Sequence, residues 1–343
     1  MRDDCGICEA ARRRRTGWAR PPSTGPPWVA SSRERRFDRH HYYVTCRRSP
    51  AVIRGVTAGI DGSPGSGVVA EWAALESLLR GVPLCLVHVH EGPRPAAADA
   101  VDASAVRHQA EEFLADTART VRRNHPSLRV STRLLLGRAA TALTGAAAGT
   151  GLLVLGSRGL SGTMGFLLGS VARETVSSTQ TPVVLVRVTG QPAAPRQSAL
   201  DVPTRDVIVG LDIHHDCASL LDFGFAEAAR RGDRLVALHG WSIWPVVRDA
   251  GALVAAQRDM GSDVARRLTR ILAPWREKFP SVDVAELTPI GSPAHLLVHA
   301  SDRADLVVVG RRVHPAAHGG RIGLVTHAVI QHSVVPVAVV AHH

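Results

Sequence analysis

The sequence predicts an α/β protein: two repeated, doubly wound parallel domains of five strands each, preceded by a disordered N-terminal tail. Three observations predict this architecture. Apolar runs of strand length alternate with helical patterns, the order of these elements occurs twice, and the first fifty residues lack an apolar period. Because the predicted strands are almost continuously apolar, each sheet should be parallel and covered by helices on both faces. Ligands of such sheets bind at the carboxyl ends of the strands, where the strand order reverses.

Residues 1–50 form the predicted tail. They contain 12 arginines and 5 acidic residues, and so hold +7 of the chain's formal net charge of +11. A segment without periodic apolar residues cannot bury enough surface to offset its ordering entropy, which predicts disorder. The charge alone would also suit an arm that binds nucleic acid or an anionic surface. We favour a solvated extension, or a start codon assigned too far upstream, because the aromatic residues follow no pattern. Nucleic-acid binding is therefore not expected.

The first domain covers residues 51–189. An amphipathic pattern predicts a helix over about 66–80 that ends at Gly81, since glycine commonly ends helices. Similar patterns predict three more helices, over about 102–124, 139–148 and 169–179. Runs rich in Val and Leu predict five strands, at 56–61, 83–90, 128–136, 152–156 and 182–188.

The second domain covers residues 205–343 and repeats this order after a linker rich in Pro and Ala at 190–204. Its strand DVIVGLD matches VTAGID of the first domain, and DLVVVG matches LLVLG. Its predicted strands are 206–212, 233–241, 282–289, 305–310 and 335–341. Its predicted helices are about 217–231, 251–277 and 293–302, the first of which ends at Gly232.

The stretch GSRGLSGTMGFLLGS at 156–170 is the strongest functional signal. It lies between a predicted strand and a predicted helix, and it holds Gly156, Gly159 and Gly169 at defined intervals, with Ser170 next. A glycine-rich loop that leads into a helix offers backbone N–H groups and the positive end of the helix dipole to a phosphate. The Ser170 hydroxyl could cap the helix and bond a phosphate oxygen. The spacing matches neither a dinucleotide fingerprint nor a Walker loop.

The spacing G-x2-G-x9-G-[ST] resembles the ATP-binding signature of the universal stress protein family, and VTAGIDGSP at 56–64 resembles that family's first strand end. The resemblance implies a fold like that of adenine nucleotide α-hydrolases and pairing through the last strand, so that two copies form an intrachain pseudo-dimer. It also implies ATP as the ligand, with or without Mg²⁺, and a protein partner of unknown identity; it allows a further homodimer. The implied ATP-binding residues are Asp61, Val89, Gly156, Ser157, Arg158, Gly159, Gly169, Ser170 and Val171.

The resemblance implies a separate part for several of these residues. Asp61 would lie beside the adenosine part of the nucleotide, Val89 would line the adenine pocket, and the Val171 N–H would lie near the phosphates. Arg158, between the first two glycines, is placed to meet phosphate charge. Two structural alternatives remain open. Either the glycines make only a tight strand-to-helix connection, or Asp61 is a turn or helix-cap acid ahead of Gly62–Ser63–Pro64.

The second domain departs from the signature. Aligned on Gly310, Val313 stands in the place of the second glycine and Leu324 in that of the serine. The third glycine is kept as Gly323, and the aspartate as Asp212. A branched side chain obstructs the approach of the backbone to phosphate, and the hydroxyl is lost. We therefore expect this site to bind ATP weakly or not at all, and the domain to serve as the structural partner of the first.

These signals predict an ATP-binding regulatory protein of the stress response, with one intact site in the first domain and no catalytic residues. No candidate general base or Walker-type lysine is visible, so any ATP hydrolysis should be slow. The alternatives are a slow ATPase or nucleotide α-hydrolase-type enzyme, and a nucleotide-free interaction scaffold. The α-hydrolase alternative is disfavoured because DGSPGS at 61–66 lacks the S-G-G-x-D-S loop of those enzymes.

Composition predicts a cytoplasmic protein. No apolar run is long enough to span a bilayer, and the N-terminus lacks the apolar region of a secretory signal. The five cysteines include one C-x2-C pair, Cys5 and Cys8, without a second pair to complete a zinc site, so we expect free thiols. The 17 histidines show no ligand spacing, so no metal site is predicted.

Overall fold

The computed structural model of the chain describes residues 55–91, 100–158, 168–188, 206–242, 250–313 and 322–343. In the first half the elements are β1 (Val56–Gly59), α1 (Ser66–Arg80), β2 (Leu84–His90), α2 (Ala100–Asn124), β3 (Val130–Leu136), α3 (Ala139–Ala147), β4 (Leu152–Arg158), α4 (Ser170–Ser178) and β5 (Val183–Val188). In the second half they are β6 (Asp206–Gly210), α5 (Ala218–Arg231), β7 (Arg234–Leu238), α6 (Ala250–Lys278), β8 (Val284–Leu287), α7 (Pro293–Ala300), β9 (Ala304–Arg312), α8 (Leu324–His332) and β10 (Val337–His342). A 3₁₀ turn at Ser301–Arg303 precedes β9. The two halves therefore have the same order of strands and helices.

The strands of the described residues form one ten-stranded sheet in the order β3-β2-β1-β4-β5-β10-β9-β6-β7-β8. Within each half every neighbouring pair is parallel. Strand order reverses between β1 and β4 in the first half and between β6 and β9 in the second. The prediction of two doubly wound parallel five-stranded units is confirmed, and each unit has the crevice at which such sheets bind ligands.

Both faces of the sheet are buried, as the apolar strands predicted. On one face α1, α2, α5 and α6 pack over strand side chains that include Leu84, Leu86 and Leu235, and α5 contributes the fully buried Phe225. On the other face α3, α4, α7 and α8 cover side chains that include Leu153, Leu185 and Val307. Small Ala and Val residues supply much of both layers, which lets the helices lie close to the sheet.

Glycine ends two helices where the sequence predicted it. Gly81 follows α1 with φ 64°, and Gly232 follows α5 with φ 69°. This left-handed conformation strains residues that carry a Cβ atom, so glycine is the residue that turns the chain towards the next strand.

The halves join through their last strands. β5 and β10 are antiparallel, with Ala338 opposite Val184. Two arginines cross this junction to helix ends: Arg311 of β9 donates to the carbonyl of Thr179 at the end of α4 (2.6 Å), and Arg187 of β5 donates to that of Ser333 at the end of α8. The pairing through the last strand that the resemblance implied is therefore present within one chain.

A buried charge cluster lies between α1 and α5. Arg80 contacts Glu76 (Nε–Oε1, 2.6 Å) and also Glu227, while Arg231 contacts Glu227 (Nη2–Oε2, 3.1 Å) and also Glu76. Burial acts to raise the pKa of Glu76, but the two arginines outweigh it and lower that pKa. Burial also acts on Glu227, and with the negative charge of Glu76 it raises the pKa of Glu227 to about 6. Each domain thus supplies a glutamate and an arginine, and each arginine contacts the glutamates of both domains.

Arginines also cover the outer strands. Arg122 of α2 donates to the carbonyl of Val130 in β3 (2.7 Å), and Arg276 of α6 donates to that of Val284 in β8 (3.2 Å). β3 and β8 are the two ends of the sheet. Because an edge carbonyl that already accepts a hydrogen bond is a poorer partner for an added strand, these contacts protect both edges.

The predicted elements differ from the observed ones chiefly at their ends. β1 ends at Gly59 rather than at residue 61, because a turn with Gly62 at φ 80° follows it. A further helix, α8, which the sequence pattern did not predict, precedes the last strand of the second domain. The predicted tail at 1–50 and the whole linker at 190–204 lie outside the described residues.

Candidate functional site

The carboxyl edge of the first domain brings three predicted residues to one level. Gly59 of β1 is in register with Val87 of β2 on one side and with Leu155 of β4 on the other. Asp61, Val89 and Ser157 each follow two residues after one of these three residues, towards the carboxyl edge of the sheet. The two separate sequence signals therefore converge on the crevice between β1 and β4.

Asp61 lies in the turn between β1 and α1 and is exposed. Its Oδ1 accepts hydrogen bonds from the Ser63 N–H (3.0 Å) and from the Ser66 hydroxyl (3.1 Å). The N-cap of α1 is Gly65, so Asp61 is not a helix cap. Asp61 is therefore a turn residue, as one of the two structural alternatives predicted. Its exposed carboxylate lies at the mouth of the crevice.

Val89 and Ser157 are held by the sheet. Val89 is half-buried against the core layer under α3 and α4. Ser157 is buried, and its hydroxyl donates to the Val186 carbonyl of the neighbouring strand (3.1 Å). The Ser157 hydroxyl is thus engaged within the sheet.

The first turn of α4 supplies backbone donors. Its N-cap is Gly169, and its first backbone hydrogen bond runs from the Arg173 N–H to the Gly169 carbonyl (2.9 Å). The N–H groups of Ser170, Val171 and Ala172 precede that bond, so they have no acceptor inside the helix. The expectation that Ser170 caps the helix is wrong: Ser170 is the first helical residue, and it is exposed.

The glycines of the loop are described in part. Gly156 lies in β4, where an added Cβ would come within 3.1 Å of Val69 Cγ2, so close packing of α1 on the strand favours glycine there. This is a structural reason for Gly156, in line with the tight-connection alternative. Gly159 and the side chain of Arg158 lie outside the described residues, and their predicted parts remain predictions.

A cavity of about 590 Å³ opens at the matching edge of the second domain. It lies between the carboxyl ends of β6, β7, β9 and β10 and the first turn of α8. Its apolar lining comprises Leu211, Leu220, Leu238, Leu297, Val309, Leu324 and Val325. Its lining with polar side chains comprises Asp212, Cys217, His239, Arg312, Thr326 and His342. The sequence motifs did not predict this cavity. A cavity depends on how distant segments pack, and no residue spacing in the sequence marks it.

Asp212 is the best-connected charge of the cavity. Its carboxylate accepts hydrogen bonds from the His214 N–H (3.2 Å) and His215 Nδ1 (2.8 Å), and it lies 3.6 Å from Arg312 Nη2. Burial acts to raise the pKa of Asp212, but the hydrogen bonds from the two histidines outweigh it and lower that pKa. Asp212 is therefore ionised at neutral pH and already compensated.

Two other lining residues replace hydroxyls of the first domain. Cys217 stands five residues after Asp212, as Ser66 does after Asp61, and its thiol contacts the Asp212 carbonyl (Sγ–O, 3.1 Å). Burial raises the pKa of Cys217 to about 11, so the thiol is neutral. Leu324 begins α8 after the N-cap Gly323, in the place of Ser170, and is 91% exposed. The predicted alignment of the two loops is thus confirmed at the helix starts.

Two histidines have structural roles that no sequence pattern predicted. His88 Nδ1 bonds the Ile60 carbonyl and His239 Nδ1 bonds the Leu211 carbonyl, both at 2.8 Å, so each ties the second strand of its domain to the end of the first. Within the described ranges no group of three or more His, Cys, Asp or Glu side chains is arranged to hold a metal ion. None of the helices in the described part of the chain is long and apolar enough to cross a membrane.

Comparison with known proteins gives a consistent result for both halves. The family model described as the universal stress protein family matches residues 53–187 and 203–341. A universal stress protein of Mycobacterium tuberculosis is 31% identical over 294 residues, which cover 83% of this chain and 95% of that protein. A solved universal stress protein from Archaeoglobus fulgidus matches with a TM-score of 0.59 at 17% identity, over 85% of this chain and 100% of that one. Another from Archaeoglobus fulgidus, solved in complex with dAMP, matches 39% of this chain and 98% of that one at 23% identity and a TM-score of 0.31.

Proposed function

Since the chain belongs to the universal stress protein family, with both of its halves matched, we propose that it is a cytoplasmic regulatory protein that holds ATP in its first domain. Occupancy of that site would be the signal, read by a protein partner of unknown identity. The second domain would bind ATP weakly or not at all and would support the first through the β5–β10 junction.

One observation carries the proposal. The first turn of α4 has N–H groups without acceptors inside the helix, and it follows the strand whose carboxyl end is level with Asp61 and Val89. Backbone donors at a helix start, together with the helix dipole, suit phosphate. An apolar side chain and a carboxylate at the other side of the same crevice suit a base and a ribose. The residues present therefore fit ATP.

Each part of the site would then have a distinct task. The Ser170, Val171 and Ala172 N–H groups would hold phosphate oxygens, and Arg158 would add positive charge. Val89 would pack on the adenine, and the exposed Asp61 carboxylate would accept hydrogen bonds from the ribose hydroxyls. Bound Mg²⁺ would neutralise phosphate charge. None of these groups is a positioned base, so we propose that bound ATP stays largely intact.

Calorimetric titration tests the site count. We expect about one ATP per chain, and Gly159→Val, which copies Val313 of the second domain into the first, should remove most of the affinity while circular dichroism stays unchanged. The matched control is Gly323→Val in the second domain, where an added Cβ meets nothing within 4 Å, and it should leave ATP binding intact. Two equal sites in the wild type, or full affinity in the Gly159→Val variant, would refute the assignment to the first domain.

A steady-state hydrolysis assay tests whether the protein is an enzyme. We expect phosphate release at the same low rate from the wild type and from the Gly159→Val variant, which serves as the control for contaminating ATPases. If the wild type turns over several times per second and the variant does not, the chain is an ATPase and the occupancy model is wrong. If neither protein binds or hydrolyses ATP, the nucleotide-free scaffold is favoured.

A further inference from the structure

We propose that the cavity of the second domain binds an uncharged, mainly apolar small molecule that carries an acceptor oxygen. This ligand class differs from ATP, and the proposal is independent of whether the first domain holds a nucleotide. It rests on the size of the cavity, its charge balance, its exposed leucine and the backbone donors at its mouth.

The size and lining suit a small molecule. A volume of about 590 Å³ lies within the range of about 300–1,000 Å³ that small-molecule sites occupy. Apolar side chains from three strand ends and three helices face this space, among them Leu211, Leu238 and Leu297. A ligand that buries aromatic or aliphatic surface here would release water from both partners.

The charges of the described lining cancel. Asp212 and Arg312 are opposite in sign and lie 3.6 Å apart, and Asp212 also accepts two hydrogen bonds from its own turn. Burial lowers the pKa of His342, which keeps that ring neutral at neutral pH. A charged group in the body of the cavity would have to break the Asp212–Arg312 pair or stay unpaired, and an anionic group at the first turn of α8 would lie beside the apolar side chain of Leu324. An uncharged ligand avoids both costs.

Leu324 marks the entrance. It is 91% exposed, although it lines the cavity, and it stands where the first domain has Ser170. Cys217 replaces Ser66 in the same way deeper in the site. Leu324 exchanges a hydroxyl for an apolar group on the side where nucleotide phosphates would lie, and Cys217 exchanges one for a less polar thiol beside Asp212. The second domain has therefore changed the kind of ligand that it suits, and has not simply lost a binding site.

Backbone donors give the ligand one polar anchor. The first backbone hydrogen bond of α8 runs from the His327 N–H to the Gly323 carbonyl (2.9 Å), so the N–H groups of Leu324, Val325 and Thr326 have no acceptor in the helix. The Thr326 hydroxyl already donates to the Gly310 carbonyl (2.7 Å). A ketone, ester or amide oxygen could accept a hydrogen bond from this first turn while the apolar body of the ligand fills the cavity.

Two naphthalene dyes that differ in charge test the proposal on the full chain. The neutral ketone 6-propionyl-2-dimethylaminonaphthalene should bind once per chain with a blue-shifted emission, and saturating ATP should not displace it. The anionic dye 1-anilinonaphthalene-8-sulfonate should bind at least about tenfold more weakly. Equal or tighter binding of the anionic dye, displacement of the neutral dye by ATP, or no binding of the neutral dye would overturn the proposal.

A matched pair of variants locates the bound dye. Leu324→Ser should weaken binding of the neutral dye at least about fivefold, and because Leu324 is exposed this change should leave the melting temperature unaltered. Val334→Ser changes another exposed apolar residue, beyond the opposite end of α8 and outside the lining, and should leave binding unchanged. Equal effects of the two changes would show that the dye binds elsewhere. The Gly159→Val titration with ATP is scored separately, so either proposal can fail without the other.

Discussion

Arg231→Met tests the charge cluster that joins the two domains. Arg231 is 5% exposed and contacts both Glu227, which is 1% exposed, and Glu76, which is 2% exposed. Removing it leaves two buried carboxylates with Arg80 and the more exposed Arg230. Breaking a buried, hydrogen-bonded charge pair by removing one partner costs about 3–5 kcal/mol, so we expect a loss of that size at neutral pH.

The pH dependence has a definite sign. In the wild type the pKa of Glu76 is lowered, so Glu76 contributes stability above its unfolded pKa, and this contribution is lost as the pH falls through its folded pKa. Without Arg231, burial and the neighbouring carboxylate raise the pKa values of the two acids, so the variant loses stability as the pH rises. The difference in unfolding free energy between wild type and variant should therefore be largest at about pH 7 and smaller at about pH 4.5.

Urea unfolding at both pH values, followed by tryptophan fluorescence and circular dichroism, measures this difference. The matched control is Arg230→Met: Arg230 contacts Glu227 at 2.6 Å, but its side chain is 34% exposed, so its loss should cost only about 0–1 kcal/mol. A loss below about 1 kcal/mol for Arg231→Met, or a loss equal at both pH values, would refute the reasoning from burial.

Three further predictions follow from burial and sequence pattern. Because burial raises the pKa of Cys217 to about 11, iodoacetamide should alkylate this thiol slowly near pH 8, and faster as the pH rises; rapid labelling near pH 8, read by peptide mapping, would contradict its burial. Phe225→Ala should cost about 3–5 kcal/mol in urea unfolding because Phe225 is fully buried and stacks on Trp275 and Phe279, whereas Leu78→Ala, at a side chain 38% exposed, should cost far less. Deleting residues 1–50 should change neither the melting temperature nor the ATP affinity; a melting temperature lower by several degrees would show that this segment docks.

The sequence predicted the elements of the fold well because their signals are local. Continuous Val and Leu runs fix a strand that is buried on both faces, and a glycine after an amphipathic pattern ends α1 and α5 where predicted. The ends of β1, β3 and β8 were less predictable. A strand stops where its neighbour stops offering hydrogen bonds, and that is a property of the sheet rather than of the segment.

Contacts between the domains could not be predicted in this way. On its own helix Glu76 has an arginine four residues later, a spacing typical of a solvated helix surface. Only the packing of α1 against α5 buries it against Arg231, and no local pattern records that contact. The roles of His88 and His239 were missed for the same reason, because each depends on a carbonyl 28 residues earlier in the chain.

The candidate site was predicted in part. Motif spacing identified the helix start at Gly169 and aligned Gly323 with it, but the helix that follows Gly323 was not predicted. The bond from Ser157 to Val186 and the cavity of the second domain depend on neighbouring strands and helices. The altered motif of the second domain therefore could not predict whether a cavity is present there.

The antiparallel pairing of β5 with β10 has a consequence for dilution. When two such edges belong to separate chains, their association depends on protein concentration. At a concentration near the dissociation constant, a large share of the chains are no longer paired. Here one chain carries both edges, so each meets the other at an effective concentration that is on the order of millimolar for a short connection. A protein present in only a few copies per cell would therefore keep its ten-stranded sheet, and its first domain would always have the same neighbour.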